Sequence, residues 1–328
     1  MTKQNKFLRI AAAAGAVVAL ALAPLSAARA EFPEKPVEMT VLFGSTAKTI
    51  AQVLADEMSK ALGKPVVPVF RPGAGGAVGY KHVGAQTADG YSIVWNSNSV
   101  STSHIQGNMD LSYKDFAPIA RISVESLVVA VKADSPHKTL KDIAEAAKKS
   151  DGKLKVGTAA KGSFTHVTAA ALFDALGIGD KVIYVPVGDQ GKVPTELVAG
   201  RLDVAVQFPG QFVSYVKAGD IRMIAMSAAD RVSAFPDVPT AKEQGVDVTL
   251  SMWRGLAAPA GTPAPVIMKL QEAAKKATES ETFKSTLKTL GADISFLDHE
   301  AFGKLIAEDN QKLDKIMTDI GVKKDSKS

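Results

Sequence analysis

The chain of 328 residues has no cysteine. That absence excludes disulfides, thiolate nucleophiles and cysteine-ligated metals, so packed cores alone must hold the fold. Its five histidines, His82, His104, His137, His166 and His299, are nowhere spaced as in a zinc-binding H-E-x-x-H, and no glycine-x-serine-x-glycine elbow occurs. Serine-x-x-lysine stands at 135–138 and at 285–288, without the companion motifs of penicillin-binding enzymes. The sequence carries no positive sign of hydrolytic or redox catalysis, and neither a metal nor a cofactor is expected. Basic patches are lacking too. The lysine pairs at 148–149, 275–276 and 323–324 read as solvated helix faces or ends.

Long apolar runs are equally scarce. The run from Ile10 to Leu22 is short for a membrane span, and it lies between Lys3, Lys6 and Arg9 on one side and Ala28-Arg29-Ala30 on the other. These are the three parts of a secretory signal, so export to the periplasm with cleavage after Ala30 is expected. Residues 1–30 hold four basic residues (Lys3, Lys6, Arg9, Arg29) and no acidic one, so removing them takes the formal charge from +5 to +1. The basic character belongs to the signal. No nucleic acid or membrane surface is expected as a partner.

Glycine is concentrated in RPGAGGAVGY (71–80). A P-loop or a dinucleotide fingerprint starting at Gly73 would each require glycine where Val78 stands, so the stretch reads as a tight strand-to-helix turn. Around it, short β-branched runs alternate with helical patterns, which predicts α/β layers with largely parallel strands. Strands are predicted at 37–43, 66–70, 91–95, 127–132, 154–158, 182–187, 202–208 and 221–227. A helix before Gly63 should bury Ile50, Val53, Leu54, Met58, Ala61 and Leu62. Beyond the strand-like LSMWRGLAAPA (250–260) only helices are predicted.

Two strand-to-helix turns are rich in small hydroxyl residues: VLFGSTAKT (41–49) and VGTAAKGSFTH (156–166). Each offers free N–H groups at a helix N-terminus to an anion, or ordinary helix capping. A third polar cluster, WNSNSVSTSH (95–104), supplies Asn96, Ser97 and Asn98 either to a small polar solute or to a solvent loop. Arg254 could grip a carboxylate or form a surface ion pair, and Trp253 beside it is core or ligand platform.

The motifs RPGAGGAVG (71–79), ADGYSIVW (88–95), YKDFAPIARI (113–122), KLKVGTAAKGSFTH (153–166), KAGDIRMIAMSAADR (217–231), FPDVPTAKEQG (235–245) and WRGLAAPAGTPAPVI (253–267) stand in one order along the chain. Together they resemble the substrate-binding proteins of tripartite tricarboxylate transporters, the Bug-type receptors. The resemblance covers the whole chain after the signal. It implies an α/β, two-lobed type II periplasmic-binding-protein fold with a ligand cleft between the lobes. Residues 31–131 and 254–328 would form lobe one and 132–253 lobe two, with crossings near Val131 and Trp253.

The same resemblance implies that the protein is not an enzyme but a monomer that delivers a small organic acid to membrane transporter subunits. Backbone groups of Gly44, Ser45, Thr46 and Ala47 in lobe one, and Thr158, Ala159, Gly162, Ser163 and Thr165 in lobe two, would hold the ligand's carboxylate, with His166 closing that stretch. This chain departs from the family at Lys48, where an acid is expected, at Gln207, often aspartate, at Val187, usually tyrosine, and at Arg254, often uncharged. Lys48 and Arg254 would make the cleft positive and favour a di- or tricarboxylate. Two other functions remain open on the same scaffold: a hydrolase using Ser163 and His166, three residues apart on one helix face, and a ligand sensor for a membrane signalling protein.

Overall fold

The β-branched runs form strands that sort into two sheets. The computed structural model describes residues 32–44, 46–188 and 190–324; the expected signal, the expected cleavage after Ala30, and Ser45 lie outside the described residues. Everything from Lys35 onward belongs to one unit. Its strands in chain order are β1 (Val37–Val41), β2 (Val66–Phe70), β3 (Ser92–Ser97), β4 (Phe116–Ser126), β5 (Val128–Lys132), β6 (Leu154–Thr158), β7 (Val182–Pro186), β8 (Val204–Gln207), β9 (Ile221–Met226), β10 (Ser251–Pro259) and β11 (Asp293–Leu297). The helices are α1 (Thr46–Leu62), α2 (Ala77–Gly84), α3 (Ser99–Ile105), α4 (Leu140–Lys149), α5 (Phe164–Ala175), α6 (Val193–Val198), α7 (Val213–Ala218), α8 (Ala264–Glu279), α9 (Glu281–Leu290) and α10 (His299–Asp319).

The first sheet runs β11-β4-β10-β3-β1-β2 and the second β7-β6-β8-β5-β9. Both are mixed, which corrects the expectation of largely parallel strands. Pairs β1–β2, β1–β3, β6–β7 and β6–β8 are parallel, whereas β10 with β3 and β4, β11 with β4, and β5 with β8 and β9 are antiparallel. Strands β4 and β11 were absent from the sequence reading. Pro118 interrupts the apolar run of β4, and β11 leaves most of its side chains only partly buried, so neither shows a clean strand period.

Strand β5 explains why its sequence is apolar without a break. Val129 and Val131 pack into one core with Val156, Phe173 and Val204, while Val128 and Ala130 face the opposite core with Leu197, Leu202 and Phe212. A strand covered on both faces needs no polar alternation. It also gives no clue to which sheet owns it. The chain passes from the first sheet to the second at Leu127, between β4 and β5, and Trp253 lies in β10 of the first sheet.

On α1, Ile50, Leu54 and Met58 are buried together with Ala47, Ala51 and Ala55, while Ala61 is exposed. The buried stripe follows the i, i+3, i+4 spacing but lies slightly rotated from the predicted one. Helix α10 serves both sheets. Phe302 and Ile306 join the core of the first, Leu313 and Met317 that of the second, so the C-terminal helices do not return to the first sheet alone.

The two crossings are strapped together by buried Ser227. Its N–H donates to the Leu127 carbonyl (2.8 Å) and its carbonyl accepts from the Leu250 N–H (3.0 Å). Its hydroxyl accepts from the Leu127 N–H (2.9 Å) and donates to the Leu250 carbonyl (2.6 Å). Backbone groups at a buried crossing must find such partners, because no ladder continues through it.

A second junction joins α10 to β10. Asn98 Nδ2 and Trp253 Nε1 both donate to Asp309 Oδ2, at 2.7 and 2.9 Å, and Asn98 Oδ1 accepts from the Trp253 N–H at 2.9 Å. Burial raises the Asp309 carboxyl above its usual range, and the two donors only partly offset this. Its folded form therefore keeps a proton to higher pH than its unfolded form. That contribution to stability is complete below the unfolded value of about 3.9 and is lost as pH climbs through the folded value. Asp309→Asn keeps one oxygen for both donors and removes the buried charge, so its stability relative to wild type should rise across that window and level off above it. Asp309→Ala strands both donors and should cost about 2–4 kcal/mol in urea unfolding. Equal losses in the two variants at pH 7 would contradict this assignment.

Candidate functional site

A cavity of about 330 Å³ opens where the carboxyl ends of parallel strands from both sheets converge. This is where ligands bind in open α/β sheets. From the first sheet, Phe43 follows β1, Ala74 and Gly75 follow β2, and Ser99, Thr102 and Ser103 lie on α3 after β3. Gln106 and Asn108 follow that helix. From the second sheet come Ala160, Lys161, Ser163, Phe164 and Thr165, after β6, and Phe208, after β8. Met252 and Arg254 complete the wall from β10, where the strand period of two turns both to one face and Trp253 to the other.

The glycine-rich stretch thus does shape the cavity, though not as a phosphate cradle. Gly73, Ala74, Gly75 and Gly76 all have positive φ, and Ala74, at 45°, is a side-chain-bearing residue held in that region. Gly75 accepts the Ser103 hydroxyl on its carbonyl at 2.6 Å. A Cβ at Gly76 would stand 3.3 Å from the Phe43 ring, so glycine here lets Phe43 approach the turn.

Helix α5 presents its N-terminus to the cavity. Ser163 caps it, accepting from the His166 N–H at 3.4 Å and donating to the Ala160 carbonyl at 2.7 Å. Thr165 Oγ1 accepts from the Ala159 N–H at 2.9 Å. The N–H groups of Phe164 and Thr165 have no acceptor among the described residues. Two free donors at the positive end of a three-turn helix are suited to an anionic group.

A family model described as the tripartite tricarboxylate transporter family receptor matches residues 50–322. The chain belongs to that family. Among curated relatives, the "UPF0065 protein in the TAR-I ttuE-ttuC' intergenic region" of Agrobacterium vitis is 32% identical over 271 residues, 80% of this chain and 77% of its own. The periplasmic binding protein BugD is 27% identical, with a TM-score of 0.78 over 90% of this chain and 100% of its own. MatC from Rhodopseudomonas palustris, solved with bound malate, is 26% identical with a TM-score of 0.75 over 87% of this chain and 99% of its own. The protein is a Bug-type receptor with the periplasmic-binding-protein fold. No helix among the described residues is long and apolar enough to cross a membrane.

Of the sequence-derived site residues that are described, Ser163, Thr165 and Arg254 line the cavity in this receptor. Thr46 and Ala47 are buried in the first turn of α1, Gly44 packs beside Phe70, and Lys48 is exposed with its ammonium 5.5 Å from the Phe70 ring. Asn96, Ser97 and Asn98 are buried and committed to the fold. The Tyr80 hydroxyl, pushed up to about 12 by burial, donates to Asn96 Oδ1 at 2.7 Å, and Ser97 Oγ lies 2.8 Å from Ser99 Oγ. Gln207 Oε1 accepts from the Phe208 N–H at 3.0 Å, leaving Nε2 without a protein partner.

Thr158 and His166 line a different cavity, of about 480 Å³, with Asp174, Tyr184 and Asp319. There His166 Nδ1 accepts from the Gly162 N–H at 2.8 Å, and burial, aided by Lys161, holds the ring's pKa below the usual histidine value. Gly162 sits between the two sheets' contributions, its carbonyl accepting from Gln106 Nε2. Ala159 is held by Thr165 as described.

The sequence reading missed Phe43, Ala74, Gly75, Ser99, Thr102, Ser103, Gln106, Asn108, Ala160, Lys161, Phe164, Phe208 and Met252. Nine of them, Phe43 and Phe164 included, lie within the stretches 41–49, 71–80, 95–104 and 156–166 already singled out. Within such a stretch nothing distinguishes the residue that faces the cavity, because a lining phenylalanine and a core phenylalanine look alike in one dimension.

Arg254 is neither a free cation nor a surface ion pair. Its Nε and Nη2 donate to Glu125 Oε2 at 3.1 and 2.9 Å, both side chains are under 5% exposed, and the guanidinium lies 5.7 Å from the Phe208 ring centroid. Removing one partner leaves an unpaired buried charge, so Arg254→Ala and Glu125→Ala should each cost about 3–5 kcal/mol in urea unfolding. The apolar double variant Glu125→Leu/Arg254→Met should recover most of that loss. Losses that simply add would show that the two side chains act independently.

Proposed function

We propose that this Bug-type receptor captures a small organic carboxylate between its two sheets in the periplasm and delivers it to the membrane subunits of a tripartite tricarboxylate-type transporter. The observation that carries the reading is the pair of unpartnered N–H groups of Phe164 and Thr165 at the cavity wall, with Lys161 beside them and no acidic side chain in the lining. MatC, a relative with the same fold, was solved with malate. Delivery rests on the family's name and export on residues 1–30. The two lobes of the proposal meet at the crossings strapped by Ser227, and closure about that strap would sequester the ligand.

Charge preference passes from Lys48 and Arg254 to Lys161 and the α5 N-terminus, since Lys48 is not in the lining and Arg254 has its counter-ion in Glu125. The hydrolase alternative loses its footing: Ser163 Oγ gives its proton to the Ala160 carbonyl and His166 Nδ1 is occupied by Gly162, so no base addresses the hydroxyl.

The test is a thermal-shift screen of the exported chain, refolded to strip carried-over ligand, against carboxylates and their neutral amides. A bound acid at a hundred times its dissociation constant should stabilise the fold by about 2.7 kcal/mol, or about 4 °C if both lobes unfold together. Lys161→Ala should weaken that acid a few-fold, with the difference shrinking in high salt. A shift with amides alone would sink the proposal.

A further inference from the structure

The cavity's apolar residues are distributed in a way that a small, fully polar acid does not use. Phe43 and Met252 enter from the first sheet, Phe164 and Phe208 from the second, so each side of the cleft supplies two. Phe164, Phe208 and Met252 are also buried members of the second sheet's core, and Phe43 packs against the core of the first, so each is held rigidly where it borders the cavity. Met252 shares the cavity face of β10 with Arg254, Phe164 is the first residue of α5 beside the free N–H groups, and Phe208 is the surface on which the Arg254 guanidinium lies. Glu125 fixes that guanidinium through two hydrogen bonds, which keeps the planar cation 5.7 Å from the Phe208 ring centroid.

A hydroxylated C4 diacid could be met by the polar part of the lining, such as Thr102, Gln106 and Asn108, but would give Phe43, Met252, Phe164 and Phe208 no apolar surface to bury. A flat apolar body reverses this. Its faces meet Phe43 and Met252 on one side and Phe164 and Phe208 on the other, with aromatic pairs free to stack or meet edge to face. Its carboxylate reaches the N–H groups of Phe164 and Thr165, and the cationic side chain near them, Lys161, is exposed at the cavity. A volume of about 330 Å³ lies at the small end for ligand sites, which suits one ring rather than two.

We propose that the ligand of this receptor is an aromatic carboxylate: a single ring clamped between the two sheets, with its carboxylate on the N-terminus of α5. The inference rests on the carboxylate reading above and narrows it from any small organic acid to ring-bearing ones.

Isothermal titration of the refolded wild-type protein with benzoate, terephthalate, succinate, malate, citrate and benzamide tests it. At least one ring acid should bind about tenfold or more tightly than succinate, malate and citrate, and benzoate should exceed benzamide by a similar factor. Phe43 is only partly buried, so Phe43→Ala should fold; it should lower the ratio of ring-acid to succinate affinity by about tenfold. Succinate, malate or citrate binding more tightly than both ring acids would overturn the aromatic assignment while leaving the carboxylate receptor intact. Ring acids that bind with an unchanged ratio in Phe43→Ala would overturn it as well, since the ring would then lie elsewhere. Binding of no acid, or of benzamide as tightly as benzoate, would remove the carboxylate reading and this inference together.

Discussion

The buried pair of Glu125 and Arg254 is the constraint on which the site depends. Glu125 stands two residues before the chain leaves the first sheet at Leu127, and Arg254 stands three residues into the strand by which it returns. The pair therefore fixes β4 to β10 at the root of both crossings and at the floor of the cavity at once. Two charges withdrawn from water are expensive, and an apolar pair could hold the strands as well. What an apolar pair could not do is hold a planar cation against Phe208 with its charge already compensated, which leaves Lys161 as the cation of the wall.

Around that floor, the parallel portions of the two sheets aim their carboxyl ends at one space. The antiparallel strands β10 and β5 do the joining: β10 carries Met252 and Arg254 into the cavity and Trp253 into the Asn98–Asp309 junction, by alternation alone. Helix α10 then spans the cores of both sheets. Ser227 at the crossings and α10 across both cores are thus the two places where the sheets are tied to one another.

Much of this was legible in the sequence because the governing signals are local. Runs such as LKVGT and VVPVF gave strand bounds that coincide with β6 and β2, and Ser163 was readable as a cap. The family was legible from ordered motifs. What could not be read was long-range: that Asn98 would be spent on Asp309, 211 residues away, and Arg254 on Glu125, 129 residues away. Polar residues in a strand-to-helix stretch look the same whether they bind a solute or a distant side chain. Orientation within sheets was lost for a related reason, since a strand buried on both faces, such as β5, carries no record of its neighbours' direction.

The most direct measurement is a crystal structure of the refolded receptor with its tightest-binding acid. The expected result is a carboxylate oxygen about 3 Å from the Phe164 and Thr165 nitrogens, the body of the ligand between Phe43 and Phe208, and Arg254 still paired with Glu125. Density for the acid in the cavity of Thr158, His166 and Asp319, or Arg254 swung off Glu125 to take the carboxylate itself, would contradict the account.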